Sequence, residues 1–177
     1  MGKRVNKANV QVKYDMYIAL LRLLEKQNIS TIGVSDLAEE AGVSRMAFYR
    51  NYNTIEDILK ENLEILFTEY AKEDAKTEER EIYCAYHYMI HCLNFFLKHH
   101  KLMDALINCG MGDMILARIT EYLLQKWAPD HEKKADQMKM CIFAGAIYNI
   151  YREWAKREFK ESPEELAEIL SSIQMMI

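Results

Sequence analysis

The chain has 177 residues, 50% of them hydrophobic and 28% charged, with a net charge of −4, enough to bury a sizeable core as one large domain or two small ones. Two prolines and six glycines are all that interrupt a composition rich in Leu, Ile, Met, Ala, Glu and Lys, so an all-α chain is expected. There is no charge-free apolar run of about 18 residues and no signal-like stretch in the opening "MGKRVNKANV", and Cys84, Cys92, Cys109 and Cys141 lie far apart without a C-x-x-C pair. Membrane spans and a disulfide framework are thereby excluded, a reducing cytoplasmic setting with no membrane partner is expected, and the cysteines read as small core residues.

The charge is unevenly placed. Residues 1–60 hold nine Lys/Arg against seven Asp/Glu, whereas residues 61–177 hold fourteen against twenty. Lys3, Arg4, Lys7 and Lys13 all precede the first acid, Asp15, so a polyanion would be drawn to that end. An ordinary solvated tail has the same composition.

In chain order, Tyr17, Ile18, Leu20, Leu21 and Leu24 recur at helical spacing and predict a first helix over 14–26. Ser35 is placed to cap a second, with Asp36 in its first turn and Leu37, Ala38 and Ala41 facing inward before Gly42 stops it. Val43 is expected to bury, and Ser44 to cap a third helix that mixes Arg45 and Arg50 with Met46, Phe48 and Tyr49. Two short helices around a glycine turn form a helix-turn-helix, whose second helix enters the major groove of DNA. Phe48 and Tyr52, four apart, read as core. Thr54-Ile55-Glu56-Asp57 opens a fourth helix with Ile58, Leu59, Leu63, Leu66, Phe67 and Tyr70 as its stripe, linking head and body.

The segment "ISTIGVSDLAEEAGVSRMAFYRNYNTIEDILKENL" resembles the amino-terminal domain of TetR/AcrR-family regulators, with Ala41, Gly42, Val43, Ser44, Phe48, Tyr49 and Tyr52 at the positions of the family pattern. The resemblance implies a three-helix DNA-binding domain over 1–60 and a helical effector-binding and dimerisation domain over 61–177. It makes Ser44 to Asn51 the recognition helix, with Arg45 and Met46 facing base edges and Ser35, Tyr49 and Arg50 on phosphates. Asn51 stands where the family usually has His, and Ile55 where it usually has a backbone-touching Lys. Phosphate affinity is then weaker, or comes from Arg50 and the amino-terminal lysines.

Beyond the polar "KEDAKTEERE", the helix predicted over 82–98 carries Ile82, Tyr86, Met89, Ile90, Leu93, Phe96 and Leu97 as a core face. Tyr83, Cys84, His87, Tyr88, His91 and Phe95 cover much of the rest, so it is buried or lines a cavity. In the resembling family the body helices enclose the effector. Tyr83, His87 and His91 are taken as polar anchors and Met89 and Phe95 as walls for a small apolar effector. Cys84, His87 and His91 share a face, but one helix rarely completes a metal site, and no metal or other cofactor is expected. No basic residue closely flanks Cys92 or Cys109, which argues against a reactive thiol.

A short helix ending at Gly110 and another closing before Pro129 lead to two long helices. The first carries the small patch Ala144-Gly145-Ala146 among Ile142, Phe143, Ile147, Ile150, Tyr151 and Trp154. Ser162-Pro163-Glu164-Glu165 then caps the second, with the stripe Leu166, Ile169, Leu170, Ile173, Met176 and Ile177. By the resemblance this pair builds a four-helix bundle with a second copy through Gly145, Ile147, Tyr151, Leu166, Ile169, Leu170 and Ile173; intramolecular core is the other reading. No phosphate-cradling loop, nucleophile elbow or informative carboxylate pair occurs, so no catalytic residue is assigned. The expectation is a homodimeric regulator, a repressor of double-stranded palindromic DNA released by a small molecule. The alternative is a helical module of the same fold acting through a protein partner.

Overall fold

A computed structural model describes residues 7–75, 83, 85–128 and 134–172. Lys3, Arg4, Ile82, Cys84, Pro129, Ile173, Met176 and Ile177, named above, lie outside these ranges. Among the described residues there are nine α-helices and one short 3-10 turn, with no strand. None of these helices is long and apolar enough to cross a membrane. Contacts divide the chain into two compact units, Met1–Leu66 and Phe67–Ile177.

In the first unit α1 spans Lys7–Leu24 and buries Met16, Ala19 and Leu20. It starts well before the expected position because nothing in Lys7–Lys13 breaks a helix. The Asn28 side chain accepts from the Ser30 N–H at 3.0 Å and caps the 3-10 turn Ile29–Thr31. α2 is Val34–Glu40, and its cap is Gly33, not Ser35. The Asp36 carboxylate reaches back to the Gly33 N–H at 3.0 Å, which starts the helix one turn position earlier and leaves Ser35 exposed in its first turn.

Gly42 adopts φ +65°, and the Gly42 and Val43 N–H groups close onto the Glu39 and Ala38 carbonyls at 3.1 and 2.9 Å. This left-handed stop lets α2 end without orphaned carbonyls. Val43 is half-buried where full burial was expected. α3, Arg45–Asn51, follows at once, with the Ser44 Oγ accepting from the Ala47 N–H at 3.1 Å. α4, Glu56–Asp74, begins with the Asp57 carboxylate accepting from the Thr54 and Asn53 N–H groups at 2.9 and 3.2 Å. Its residues Ile58, Leu59, Leu63 and Leu66 are buried in the first unit, and Phe67 and Tyr70 in the second.

The second unit continues with α5 (Tyr86–Lys98), α6 (His100–Asn108), α7 (Gly112–Trp127), α8 (Lys134–Lys156) and α9 (Pro163–Ser172). α5 packs along α9, and α7 along α8. α6 ends in a second left-handed glycine stop at Gly110, φ +74°. At Gly112 an added Cβ would meet the Tyr148 hydroxyl, so any side chain there obliges the Tyr148 ring of α8 to move. Ser162 and Glu165 exchange side-chain to backbone hydrogen bonds of 3.2 and 2.8 Å, a complete capping box with Pro163 in the first turn.

α5 is rotated from its expected phase. Tyr86 is exposed, whereas Tyr88, Cys92 and Phe95 are buried beside Met89, Leu93 and Phe96. Cys141, expected in the core, is exposed on α8.

The Gly42 conformation gives a direct test. A left-handed non-glycine residue costs about 1–2 kcal/mol, so Gly42→Ala lowers stability in urea unfolding by about that amount. Gly42→Asn, whose short polar side chain visits this region more readily, costs less than Gly42→Ala.

Candidate functional site

α3 divides cleanly into two faces. Ala47, Phe48 and the following Tyr52 are buried, while Arg45, Met46, Tyr49 and Arg50, at i, i+1, i+4 and i+5, are exposed, Met46 to 76% and Tyr49 to 53%. Two bulky apolar or aromatic side chains between two guanidinium groups make a surface matched to base edges and phosphates together. Ser44 and Ser35 are also exposed, each at the amino end of its helix. The Ser44 Oγ accepts a backbone N–H, which leaves its hydroxyl proton available as a donor.

What fixes this face lies behind it. The Asn51 Nδ2 donates to the Ala47 carbonyl at 2.8 Å and its Oδ1 accepts from Asn9 on α1 at 2.9 Å. Glu61 on α4 accepts from the Lys13 ammonium and from the Tyr52 hydroxyl, each at 2.5 Å. The Lys13 nitrogen also lies 5.2 Å from the centre of the Tyr52 ring. Ile55 is buried. Lys13, expected to serve phosphates, is thus committed to holding α1 on α4, and the two family departures are internal packing. Burial pushes Glu61 up, but the bonds from Lys13 and Tyr52 outweigh it and hold the carboxyl below its usual value. Burial, and then the bond to Glu61, raise Tyr52.

The second unit encloses a cavity of about 30 Å³, room for a water or two. Of the expected ligand residues, Tyr83 and Met89 line it. His87 is exposed beside Tyr88, with ring centres 4.4 Å apart. His91 stacks on Tyr70 at 5.3 Å, and Phe95 is packed between Tyr70 and His99. These three lie outside the lining because α5 is rotated. The walls that sequence reasoning missed are Tyr88, Tyr122 and Trp127, together with the charged pair Asp74 and Lys126. Asp74, 2% exposed, accepts from both the Lys126 ammonium and the Tyr122 hydroxyl. Burial pushes the Cys92 thiol up to about 12, which keeps it protonated. Among the described residues no cluster of His, Cys, Asp or Glu could hold a metal ion.

Residues 19–61 match the family model of bacterial regulatory proteins, tetR family. That match falls on the helix-turn-helix just described, so this segment is similar to the DNA-binding domain of tetR-family regulators. The fold agrees over the whole length. A protein of Listeria innocua, Lin0861, is 18% identical with a TM-score of 0.76, covering 99% of this chain and 96% of its own. A TetR transcriptional regulator from Streptococcus agalactiae is 20% identical with a TM-score of 0.68, covering 95% and 96%. The dihydroxyacetone kinase operon activator DhaS is 20% identical with a TM-score of 0.63, covering 93% and 94%. At these identities the likeness is one of fold. No curated protein matches the sequence closely enough to count as a relative.

TetR-family proteins bind DNA, typically as dimers, and are in general not enzymes. Of the residues expected at a dimer contact, Ile147, Tyr151, Leu166 and Leu170 are buried within this chain and are core of the body. Gly145 is half-buried with nothing of this chain within 4 Å of a Cβ, and Ile169 is 53% exposed. Met138 and Ile142, exposed at i and i+4 on α8 in line with Gly145, complete an outward apolar strip.

The Glu61 staple carries a pH dependence. Because its folded carboxyl is depressed, its contribution is present above the unfolded value of about 4.3 and is lost as pH falls through the folded one. The pair is a third exposed, which limits its worth to about 1 kcal/mol. Glu61→Gln is therefore less stable than wild type at pH 7 by that order, and the two converge on acidification. Urea titrations at several pH values measure this.

Proposed function

We propose that the protein is a homodimeric one-component transcriptional regulator that binds a palindromic duplex and acts as a repressor. The reading is carried by one observation: the exposed Arg45-Met46-Tyr49-Arg50 face of a recognition helix whose other face is locked into the head. Arg45 and Met46 read base edges, an Arg pairing bidentately with guanine and the Met lying against a thymine methyl. Ser35, Ser44, Tyr49 and Arg50 hold phosphates and set register. The apolar strip Met138-Ile142-Gly145 of α8, with Ile169 of α9, pairs with its copy and links two heads on two half-sites. A small, largely apolar effector taken up by the body releases the operator, provided it prefers the DNA-incompetent state. The protein-partner alternative drew on Asn51 and Ile55, and both are engaged inside the head.

On an operator obtained by oligonucleotide selection, Arg45→Ala loses discrimination at one base pair by about 1–3 kcal/mol. Arg50→Ala weakens all sequences alike and lowers the slope of log K against log salt by about 1. Titrations over several salt concentrations read both, and variants that bind like wild type would remove α3 as the recognition helix.

Ile142→Glu places a charge in the strip and yields monomers in light scattering at micromolar concentration, with a matching loss of affinity for the full palindrome but not for a half-site. Deleting the gene raises expression from the selected operator; a fall instead marks an activator.

A further inference from the structure

We propose that Met46 is a reversible oxidation site: a peroxide converts its thioether to the sulfoxide, and the oxidised head releases its operator. This rests on α3 as the recognition helix and names a regulation of that same surface. Met46 is 76% exposed, more than any other large apolar side chain among the described residues. Met16, Met89, Met103 and Met140 are buried, and Met111 and Met114 are half-buried. Among the described methionines only Met138, 61% exposed on α8, compares with Met46. The sulfur that an oxidant in water meets first therefore lies on the outer face of α3.

The sulfur lone pair attacks one oxygen of hydrogen peroxide, the O–O bond breaks, and the second oxygen leaves with both protons as water, a two-electron oxidation of sulfur. A soft apolar group becomes a polar, chiral one that carries a strong hydrogen-bond acceptor. Position decides what that does. At Met16 or Met103, both 0% exposed, the new oxygen would be an acceptor buried in a core and would cost stability. Met46 stands outside the packing that holds α3, which is made by the Ser44 cap and by Phe48 and Tyr52 on the opposite face. Its oxidation therefore leaves the fold and alters the surface. The apolar contact with a thymine methyl is lost. Arg50, four residues on and exposed on the same face, is a donor within reach of the new oxygen. A guanidinium drawn to the sulfoxide is drawn from phosphate, so one oxygen atom weakens base reading and backbone grip together. Methionine sulfoxide reductases return the thioether, with a dithiol supplying two electrons and the oxygen leaving as water, and restore the surface.

The test uses the full chain, the operator obtained by oligonucleotide selection and hydrogen peroxide. After graded exposure, dithiothreitol reverses disulfides and sulfenic acids at the thiols, peptide mass mapping locates each added oxygen, and gel shifts measure affinity. Met46 is expected to gain oxygen first, with unchanged far-ultraviolet dichroism and an operator affinity lower by about tenfold or more, the scale of one base contact. The two methionine sulfoxide reductases, one for each sulfoxide epimer, restore binding. Bound operator slows oxygen uptake at Met46 and leaves that at Met138 as it was. A half-site duplex, which needs no second head, shows the same loss and so separates Met46 from the strip that holds Met138.

Met46→Leu carries no sulfur at this position; whatever its starting affinity, peroxide leaves that affinity unchanged. Met46→Gln, polar from the outset, binds more weakly than wild type by about tenfold or more and is equally indifferent to peroxide. The proposal is overturned by a Met46→Leu protein that still responds to peroxide, by binding lost only in step with dichroism, or by no recovery with the reductases. Oxygen reaching the buried methionines before Met46 overturns it as well. Should Met46→Leu not fold, the reductase recovery of wild type, with the oxygen mapped to Met46, decides. Tight operator binding that is indifferent to oxygen at Met46 rejects this inference alone, whereas unoxidised protein that binds no duplex removes the regulator reading itself.

Discussion

A seven-residue helix has too few internal hydrogen bonds to hold itself in water, and α3 persists because its neighbours fix both its start and its burial. The left-handed residue at Gly42 sets the direction in which the chain leaves α2, and the Ser44 hydroxyl absorbs one of the orphan amides of the new helix. Once that direction is set, Phe48 and Tyr52 can only point inward and Arg45, Met46, Tyr49 and Arg50 only outward. Glu61 then ties three elements at one carboxylate, taking Lys13 from α1 and Tyr52 from the end of α3. The exposed face of α3 is thus a by-product of how the back of a short helix is held.

The head was largely legible because its information is local. Glycine before a capping serine, aromatics four apart and an acid three residues after a threonine each act within one helical turn. The failures there are also local. Ser35 was a good cap by type, but Asp36 bonds the Gly33 amide and moves the helix start upstream of it. Lys13 looked like a free cation because its partner, Glu61, is 48 residues away.

In the body the pattern carried less. α5 is apolar nearly all round, so its periodicity fixes a helix but no phase, and Tyr86 and Tyr88 exchange the places expected of them. Asp74 sat in a polar run, and its partners Tyr122 and Lys126 are 48 and 52 residues distant. The stripes expected on α8 and α9 divide: Phe143, Ile147, Tyr151, Trp154, Leu166 and Leu170 face inward, whereas Ile142 and Ile169 are exposed, as is Met138. A strong stripe marks core before it marks a partner, since the chain's own core claims the widest apolar face first.

The contact of Gly112 with Tyr148 has a mechanical meaning. The bare backbone at the start of α7 gives the Tyr148 hydroxyl of α8 a seat that a side chain at position 112 would fill. Lys126 stands at the other end of α7, whereas Asp74 stands on α4. Any change in the distance between those two charges is therefore a movement of α4 relative to α7 or of the lysine's own four-carbon stem.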